Sequence, residues 1–168
     1  MSTTNTRNLK KIHLESTLEV YDSVEELPES IQELISKAQQ ARNDAYAPYS
    51  RFKVGASVLM EDGNYVIGNN QENAAFPSGL CAERVAVYAA GANFPDQRIV
   101  AMALVAGSID HANQKPIPPC GACRQALAEY EVKQTDSISL FFMGTDGKVV
   151  KSPSIENLLP LVFDKSYL

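Results

Sequence analysis

The chain has 168 residues, of which 45% are hydrophobic and 21% charged, values typical of one globular domain and not of a disordered or fibrous protein. The formal net charge of −5 disfavours phosphate backbones and anionic membranes as partners. No apolar run reaches the about 18 residues of a membrane span and residues 1–7 lack the apolar core of a secretory signal, so we expect a cytoplasmic protein that binds neither nucleic acid nor membrane.

Hydrophobic periodicity predicts ten elements in the order β-α-β-β-α-β-α-β-β-α. Residues 1–7 are predicted to be disordered, and an N-terminal strand extension is expected over about residues 8–22, where apolar side chains recur at even positions from Ile12 to Val20. The later elements are expected at 28–45, 52–60, 65–68, 81–93, 99–106, 120–131, 138–143, 148–151 and 154–159. This order favours an α/β protein with a mixed sheet of about five strands between helices. No repeat or linker divides residues 1–168, so we predict a single domain.

Three cysteines, Cys81, Cys120 and Cys123, lie in the middle of the chain. An odd count does not suit a disulfide framework, and clustered thiols in a reducing compartment more often bind metal or do redox work. Cys120 and Cys123 are predicted in the first turn of a helix, where residues three apart share a face and the helix N-terminus favours thiolates. This arrangement suits a metal site or a dithiol redox couple. Buried thiols acting only as small apolar side chains are the third alternative.

Cys81 favours the metal site. It begins a second predicted helix, so its thiolate would bring the zinc ligands to three and leave the fourth tetrahedral position open, as in catalytic zinc sites. His13 lies in the predicted N-terminal strand and His111 in a loop, and no motif links either to the cysteines. A histidine that completed the tetrahedron would make the site structural instead.

Two charged residues follow Cys81 closely. Glu83 is two residues beyond a predicted ligand, where a carboxylate can move a proton between water and a substrate. Its simpler interpretation is a first-turn glutamate that complements the helix dipole. Arg84 would offset the negative charge of three thiolates at a zinc site, or else be an ordinary solvated charge.

Four segments resemble the nucleoside-type cytidine deaminases. Cys81-Ala-Glu-Arg84 and Pro119-Cys-Gly-Ala-Cys-Arg-Gln125 resemble the paired zinc motifs of that family. Ala47–Ala56 is similar to the segment that enters the family's first core strand, and Asn70–Ala74 resembles its sugar-binding Asn-x-Glu-Asn loop. The resemblance spans about residues 31–163. Cys81 stands at the first zinc position, and a cysteine there is similar to the branch of the family that acts on free nucleosides.

The resemblance implies a three-layer α/β/α cytidine-deaminase-like fold with a mixed five-stranded sheet. It implies zinc-dependent hydrolytic deamination of cytidine and 2′-deoxycytidine to uridine and 2′-deoxyuridine, with release of ammonia, in pyrimidine salvage. The three cysteines would hold one Zn²⁺ per chain, and Glu83 would be the catalytic residue that moves protons. Arg84 would contact the zinc ligands and not the zinc itself. The family also forms homotetramers with shared active sites. The residues expected to contact the nucleoside are Phe52, Asn70, Glu72, Ala82 through its backbone amide, and Phe163 from a neighbouring subunit.

Three rival functions remain open from the sequence. A blasticidin-type or other nucleoside-analogue deaminase would use the same fold, although the complete sugar loop counts against it. A thiol–disulfide protein would use Cys120 and Cys123 as an oxidisable pair and contain no zinc. A catalytically silent zinc protein would bind the metal and leave cytidine unchanged.

Overall fold

Six strands form one mixed sheet in the computed structural model, which describes residues 10–168. The strands are β1 (Glu19–Tyr21), β2 (Phe52–Met60), β3 (Tyr65–Asn69), β4 (Ile99–Ser108), β5 (Ser139–Met143) and β6 (Val149–Ser152). The helices are α1 (Glu29–Asn43), α2 (Ala82–Asn93) and α3 (Gly121–Lys133). The spatial order is β1-β6-β5-β4-β2-β3, with β4 and β5 parallel and the other neighbours antiparallel. No helix within residues 10–168 is long and apolar enough to cross a membrane.

The helices cover both faces of the sheet, which confirms the three-layer α/β/α prediction. Side chains alternate between the faces because successive strand residues point in opposite directions. In β4, Ala101, Ala103 and Val105 belong to the core beneath α1, whereas Met102 and Leu104 belong to the core beneath α2 and α3. From α1 to β6 the helices and strands begin and end within two residues of their predicted bounds.

The sheet has six strands where about five were predicted, because the N-terminal extension adds one at the edge. Only Glu19–Tyr21 pairs with a neighbour, antiparallel to Val149–Lys151 of β6. The predicted strand over 8–22 is therefore wrong for residues 10–18, which have no regular secondary structure. Residues 8 and 9 lie outside the described part of the chain, as does the segment 1–7 that was predicted to be disordered.

Asn157 holds the backbone of the extension just before β1. Its carbonyl accepts a hydrogen bond from the Ser16 hydroxyl at 2.7 Å, and its side-chain oxygen accepts one from the Thr17 amide at 3.0 Å. Its Nδ2 donates in turn to the Thr17 carbonyl at 3.0 Å. The backbone of this segment is thus held by a side chain and not by a strand ladder.

The helix predicted at 154–159 is only a short 3₁₀ turn, Glu156–Leu158. The N-cap of this turn is Ile155, and the Ser154 hydroxyl before it accepts from the Asn157 amide at 3.0 Å. Pro160, which has no amide proton to donate, follows two residues later and prevents a longer helix.

Gly55 is the point where α1 lies closest to β2. A Cβ atom at this position would lie 2.0 Å from the Ala38 carbonyl oxygen and 2.5 Å from the Arg42 amide nitrogen. Because both atoms belong to the backbone of α1, neither can move without displacing the helix. Glycine is therefore required here for close packing.

Gly55→Ala is expected to lower the free energy of unfolding by at least the about 1–3 kcal/mol typical of an overpacked core. Gly121→Ala is the matched control, because a Cβ there meets no atom within 4 Å. Urea unfolding followed by circular dichroism measures both variants. An unchanged midpoint for Gly55→Ala would contradict the close approach of α1 and β2.

Candidate active site

Two helices begin at the same place on one face of the sheet. Cys81 is the N-cap of α2 and Cys120 is the N-cap of α3, so both lie one residue outside the helices that they were predicted to begin. Cys123 follows in the first turn of α3. The sulfurs of Cys81, Cys120 and Cys123 lie within 4.8 Å of one another, and those of Cys120 and Cys123 are 3.5 Å apart. Two segments about 40 residues apart in sequence thus meet as one thiol cluster.

The donor set of this cluster fits a zinc ion. Thiolates are soft ligands that zinc prefers, and three of them leave one coordination position for water or substrate. Within residues 10–168 this is the only group of three or more potential metal ligands, and neither His13 nor His111 belongs to it. The geometry therefore matches the predicted open zinc site.

Among the three thiols, that of Cys81 is the one polarised towards ionisation. A hydrogen bond from the Cys123 thiol and the nearby Arg84 guanidinium lower the pKa of Cys81 to about 5. The same bond to Cys81, together with burial, raises the pKa of Cys123. The protons are thus shared within a crowded cluster, and a divalent cation would favour their release.

Arg84 lies beside the cluster on the first turn of α2. Its Nη2 is 3.7 Å from the Cys81 sulfur, three residues away on the same helix face. Its Nε is buried and has no hydrogen-bond partner among the described residues. The guanidinium therefore directs its charge at the thiols.

Glu83 is buried beside Cys81 and Cys123, with 5% of its surface exposed. Burial raises the pKa of its carboxyl group above the ordinary value. None of the ion pairs within residues 10–168 includes Glu83. A carboxyl group with a raised pKa and no fixed counter-ion is suited to accepting and releasing a proton.

A cavity of about 800 Å³ opens beside Glu83 and the sulfurs of Cys81 and Cys120. Three residues predicted to contact the nucleoside line it, namely Phe52, Asn70 and Glu72. Ala82 is fully buried behind this wall. As the first residue of α2, its backbone amide has no acceptor within the helix.

Asn70 is held against the beginning of β2. Its Oδ1 accepts from the Val54 amide at 2.8 Å, and its Nδ2 donates to the Phe52 carbonyl at 3.0 Å. Both polar ends of the side chain are therefore engaged with the backbone. Asn70 thus fixes the beginning of the strand that carries Phe52. One lone pair on Oδ1 and one proton on Nδ2 remain for a ligand.

Glu72 is oriented by the turn that precedes β2. Its Oε2 accepts from the amides of Tyr49 and Ser50 at 2.9 and 3.3 Å. The Ser50 hydroxyl and these two amides lower the pKa of the Glu72 carboxyl, so it is an acceptor at neutral pH. The carboxylate can receive a hydrogen bond from a ligand hydroxyl in the cavity.

Phe163 does not line this cavity, and 60% of its surface is exposed. Its ring stacks on Tyr167 with 5.7 Å between the ring centroids. Its carbonyl accepts from the side chain of Gln125 on α3 at 2.7 Å. The structure thus places Phe163 outside the cavity of its own chain and also outside its core.

Sequence reasoning missed the aromatic rim of the cavity. Tyr49 and Phe76 both line it, with ring centroids 6.0 Å apart in an edge-to-face arrangement. Ile117 and Pro118 line it from the loop before α3. The available signal was an exposed aromatic residue in each of two polar loops, a pattern that often marks binding surfaces.

A three-layer α/β/α fold with three thiols and a buried carboxylate at two helix N-termini has the construction of a zinc deaminase. The family described as "Cytidine and deoxycytidylate deaminase zinc-binding region" matches residues 28–137. The cytidine deaminase of Halalkalibacterium halodurans is 41% identical over 79% of this chain and 92% of its own length. That of Sporosarcina psychrophila is 36% identical over 82% and 94%.

Solved structures agree with these sequence matches. The cytidine deaminase of Burkholderia pseudomallei has a TM-score of 0.67 at 38% identity and covers 78% of this chain and 97% of its own. That of Mycobacterium tuberculosis has a TM-score of 0.62 at 34% identity and covers 80% and 97%. The chain belongs to the cytidine and deoxycytidylate deaminase family. The zinc-binding family match and the thiol cluster together indicate one zinc ion per chain.

Proposed function

We propose that this protein is a zinc-dependent deaminase that hydrolyses cytidine and 2′-deoxycytidine to uridine and 2′-deoxyuridine and releases ammonia. The observation that carries the proposal is the meeting of three thiols and the buried Glu83 beside a cavity of about 800 Å³. Relatives that are 36–41% identical over about four fifths of the chain are cytidine deaminases, which supports this substrate. The activity belongs to pyrimidine salvage.

Cys81, Cys120 and Cys123 are the residues proposed to hold the zinc. A zinc ion bound there supplies an activated water molecule, because the metal lowers the pKa of that water towards about 7. The Arg84 guanidinium, 3.7 Å from the Cys81 sulfur, offsets the negative charge that the thiolates concentrate at this point. The protein therefore stabilises the ionised sulfurs with a fixed positive charge beside them.

Glu83 is proposed to move the protons of the reaction. Its carboxylate accepts a proton from the attacking water and delivers it to N3 of the pyrimidine, while the oxygen adds to C4. It then takes the proton of the hydroxyl group now on C4 and gives it to the amino group, so that the C4–N bond breaks, ammonia leaves and the C4 carbonyl forms. The raised pKa that burial gives this carboxyl suits a group that must hold a proton between the two steps.

The remaining wall is proposed to orient the nucleoside. The Phe52 ring packs against the substrate, while Glu72 and Asn70 form hydrogen bonds to the ribose 3′-hydroxyl. The backbone amide of Ala82 donates to the carbonyl of the base. Since Oε2 of Glu72 is already held by two amides, its other oxygen is the one available to the sugar.

Deamination of cytidine by the zinc-loaded protein, followed by ultraviolet absorbance and by ammonia release, tests the proposal directly. The two readouts should give equal amounts of uridine and ammonia. Deoxycytidylate, which carries a phosphate group, is the comparison substrate. Arg84 is the only cationic side chain among the described residues that line the cavity. Because it is engaged by Cys81, these residues offer no second cation to the phosphate. Faster turnover of deoxycytidylate than of cytidine would contradict the nucleoside assignment. No turnover of either would favour a silent zinc protein.

We also propose a homotetramer in the cytoplasm with active sites shared between subunits. Three free thiols are best preserved in a reducing compartment. The carboxyl-terminal tail exposes Leu161 and Phe163 by 80% and 60%, a surface that favours a neighbouring subunit. Gln125, two residues after Cys123, donates a hydrogen bond to the Phe163 carbonyl. The backbone of Phe163 is therefore fixed, while its exposed ring can reach an adjacent copy.

Truncation after Val162 is expected to raise the KM for cytidine while zinc stays bound, because a stacked ring contributes on the order of 0.5–1.5 kcal/mol beyond its burial. The decisive experiment mixes Glu83→Gln with the truncated protein after reversible dissociation. Sharing predicts hybrid sites that pair an intact Glu83 with a donated Phe163, so at cytidine concentrations below the raised KM the mixture should exceed the summed activity of the two variants.

Mixing Glu83→Gln with Cys81→Ala is the matched control. Both residues belong to the same wall of one chain, so hybrids of these two variants cannot rebuild a site. If neither mixture regains activity although hybrid tetramers have formed, Phe163 does not complete a neighbour's site.

A further inference from the structure

A second cavity, of about 470 Å³, lies between the end of α1, the beginning of β2 and the loop after β4. It shares no lining residue with the cavity beside Glu83. The charged or titratable side chains that line it are Arg42, Lys53, Asp110 and His111. Nothing in the proposed deamination uses these residues.

Arg42 is a buried cation without a counter-ion among residues 10–168. Only 9% of its surface is exposed. Its Nε donates to the Lys53 carbonyl at 3.1 Å, and its Nη2 donates to the carbonyls of Gly107 and Ser108 at 2.9 and 3.1 Å. No ion pair within residues 10–168 includes Arg42. Arginine is rarely buried without a partner of opposite charge.

The third nitrogen of this guanidinium has no acceptor among the described residues. The hydrogen bonds of Arg42 to other described residues use Nε and Nη2 and leave Nη1 unpartnered. Three neutral carbonyls orient the guanidinium but do not neutralise it. Burial therefore lowers the pKa of Arg42, with no charged neighbour to oppose the effect. Nη1 is not among the buried side-chain atoms that lack a partner, so water reaches it, and an anion from solution that replaces this water would supply the missing charge.

The other side chains make the cavity cationic in a chain whose net charge is −5. The Lys53 ammonium donates to the Asn43 carbonyl and keeps two further protons to donate. Asp110 is the only carboxylate among the described lining residues. Its oxygens accept from Arg51, with 2.9 Å between Nε and Oδ2, so its charge is already offset.

We propose that this cavity binds an oxyanion, namely a phosphate group. Arg42 and Lys53 contact the phosphate oxygens and His111 lies at the rim. A guanidinium held in a fixed plane suits phosphate oxygens in direction as well as charge. The phosphate belongs either to inorganic phosphate or to a small phosphorylated sugar. The site is independent of the deamination and of the zinc.

Calorimetric titration of the zinc-loaded protein at constant ionic strength tests this site. One arm uses inorganic phosphate and the other uses ribose 5-phosphate, and the tighter ligand identifies the source of the phosphate. Saturable binding of one ligand per chain is expected. Absence of saturable binding in both arms would overturn the proposal, whether or not the protein deaminates cytidine.

Lys53→Gln is expected to weaken the binding about tenfold, because it removes one charge-assisted hydrogen bond. Lys148→Gln is the matched control, since Lys148 pairs with Asp22 at 2.8 Å on another part of the surface and its loss should leave the affinity unchanged. Arg42→Lys keeps the charge but loses the planar group, and should also weaken binding. Equal losses in Lys53→Gln and Lys148→Gln, or no loss in Lys53→Gln, would refute a built site.

Discussion

Replacing Glu83 with glutamine is expected to remove nearly all turnover of cytidine and leave the zinc content unchanged. The amide keeps the size of the side chain and can still form hydrogen bonds, but it cannot accept a proton from water or deliver one to the base. General acid–base catalysis contributes roughly 10²–10⁴-fold, and Glu83 serves two proton transfers. The loss should therefore reach at least the upper part of this range. Steady-state absorbance assays and metal analysis of the same preparation measure both quantities.

Glu129→Gln controls for the loss of a carboxylate. Glu129 is exposed on α3, so its variant should keep wild-type turnover. Retention of more than a tenth of the activity by Glu83→Gln would show that another group moves the protons. Loss of zinc from Glu83→Gln would show instead that this carboxylate supports the metal site.

Cys81→Ala is expected to lower both zinc affinity and activity by more than about 100-fold. Removing a residue behind a metal ligand already costs about 10–100-fold in affinity, and here a ligand itself is lost. Cys81 also forms the N-cap of α2 and contacts Arg84 at 3.7 Å. The two sulfurs that remain, both at the N-terminus of α3, are too few to hold zinc tightly. Zinc per chain after dialysis against a graded chelator measures the loss.

Val85→Ala is the control, because it shortens a side chain on the same turn of α2 and removes no sulfur. It should bind zinc as the wild type does. If Cys81→Ala kept one zinc per chain with unchanged affinity, Cys81 would not be a ligand, and His13 and His111 would become the candidates. That result would also remove the reason for placing Glu83 beside the metal.

Local sequence was sufficient to predict the helices that carry the thiols. Cys81 and Cys120 each follow a polar or proline-rich loop and precede a run of small or helix-forming residues, so both helix starts are encoded within a few residues. The continuous apolar run from Ile99 identified the central strand for the same reason. These signals do not depend on distant parts of the chain.

Contacts that depend on tertiary structure could not be predicted in this way. Tyr49 and Phe76 meet edge to face across 27 positions of sequence, and no local pattern couples two loops. The alternation of apolar residues around Ile12 predicted a strand, but such a pattern carries no information on whether a neighbouring strand is available to pair with it. The pairing stops at Glu19, one residue short of the end of β6, and Asn157, about 140 residues away, holds Ser16 and Thr17 instead.

The short strand β1 affects how copies of this protein behave at high concentration. It covers the outer edge of β6, whose amides and carbonyls would otherwise offer a template for intermolecular β-sheet. The match to the deaminase family begins at residue 28, so this cover lies outside the matched region. β1 is now the edge strand, but it has only three residues. The Lys151 ammonium pairs with Glu19 of β1 at 2.9 Å, so charged side chains lie beside this edge. Proteolytic loss of residues before Asp22 would therefore leave both hydrophobic cores nearly intact but expose an edge prone to aggregation.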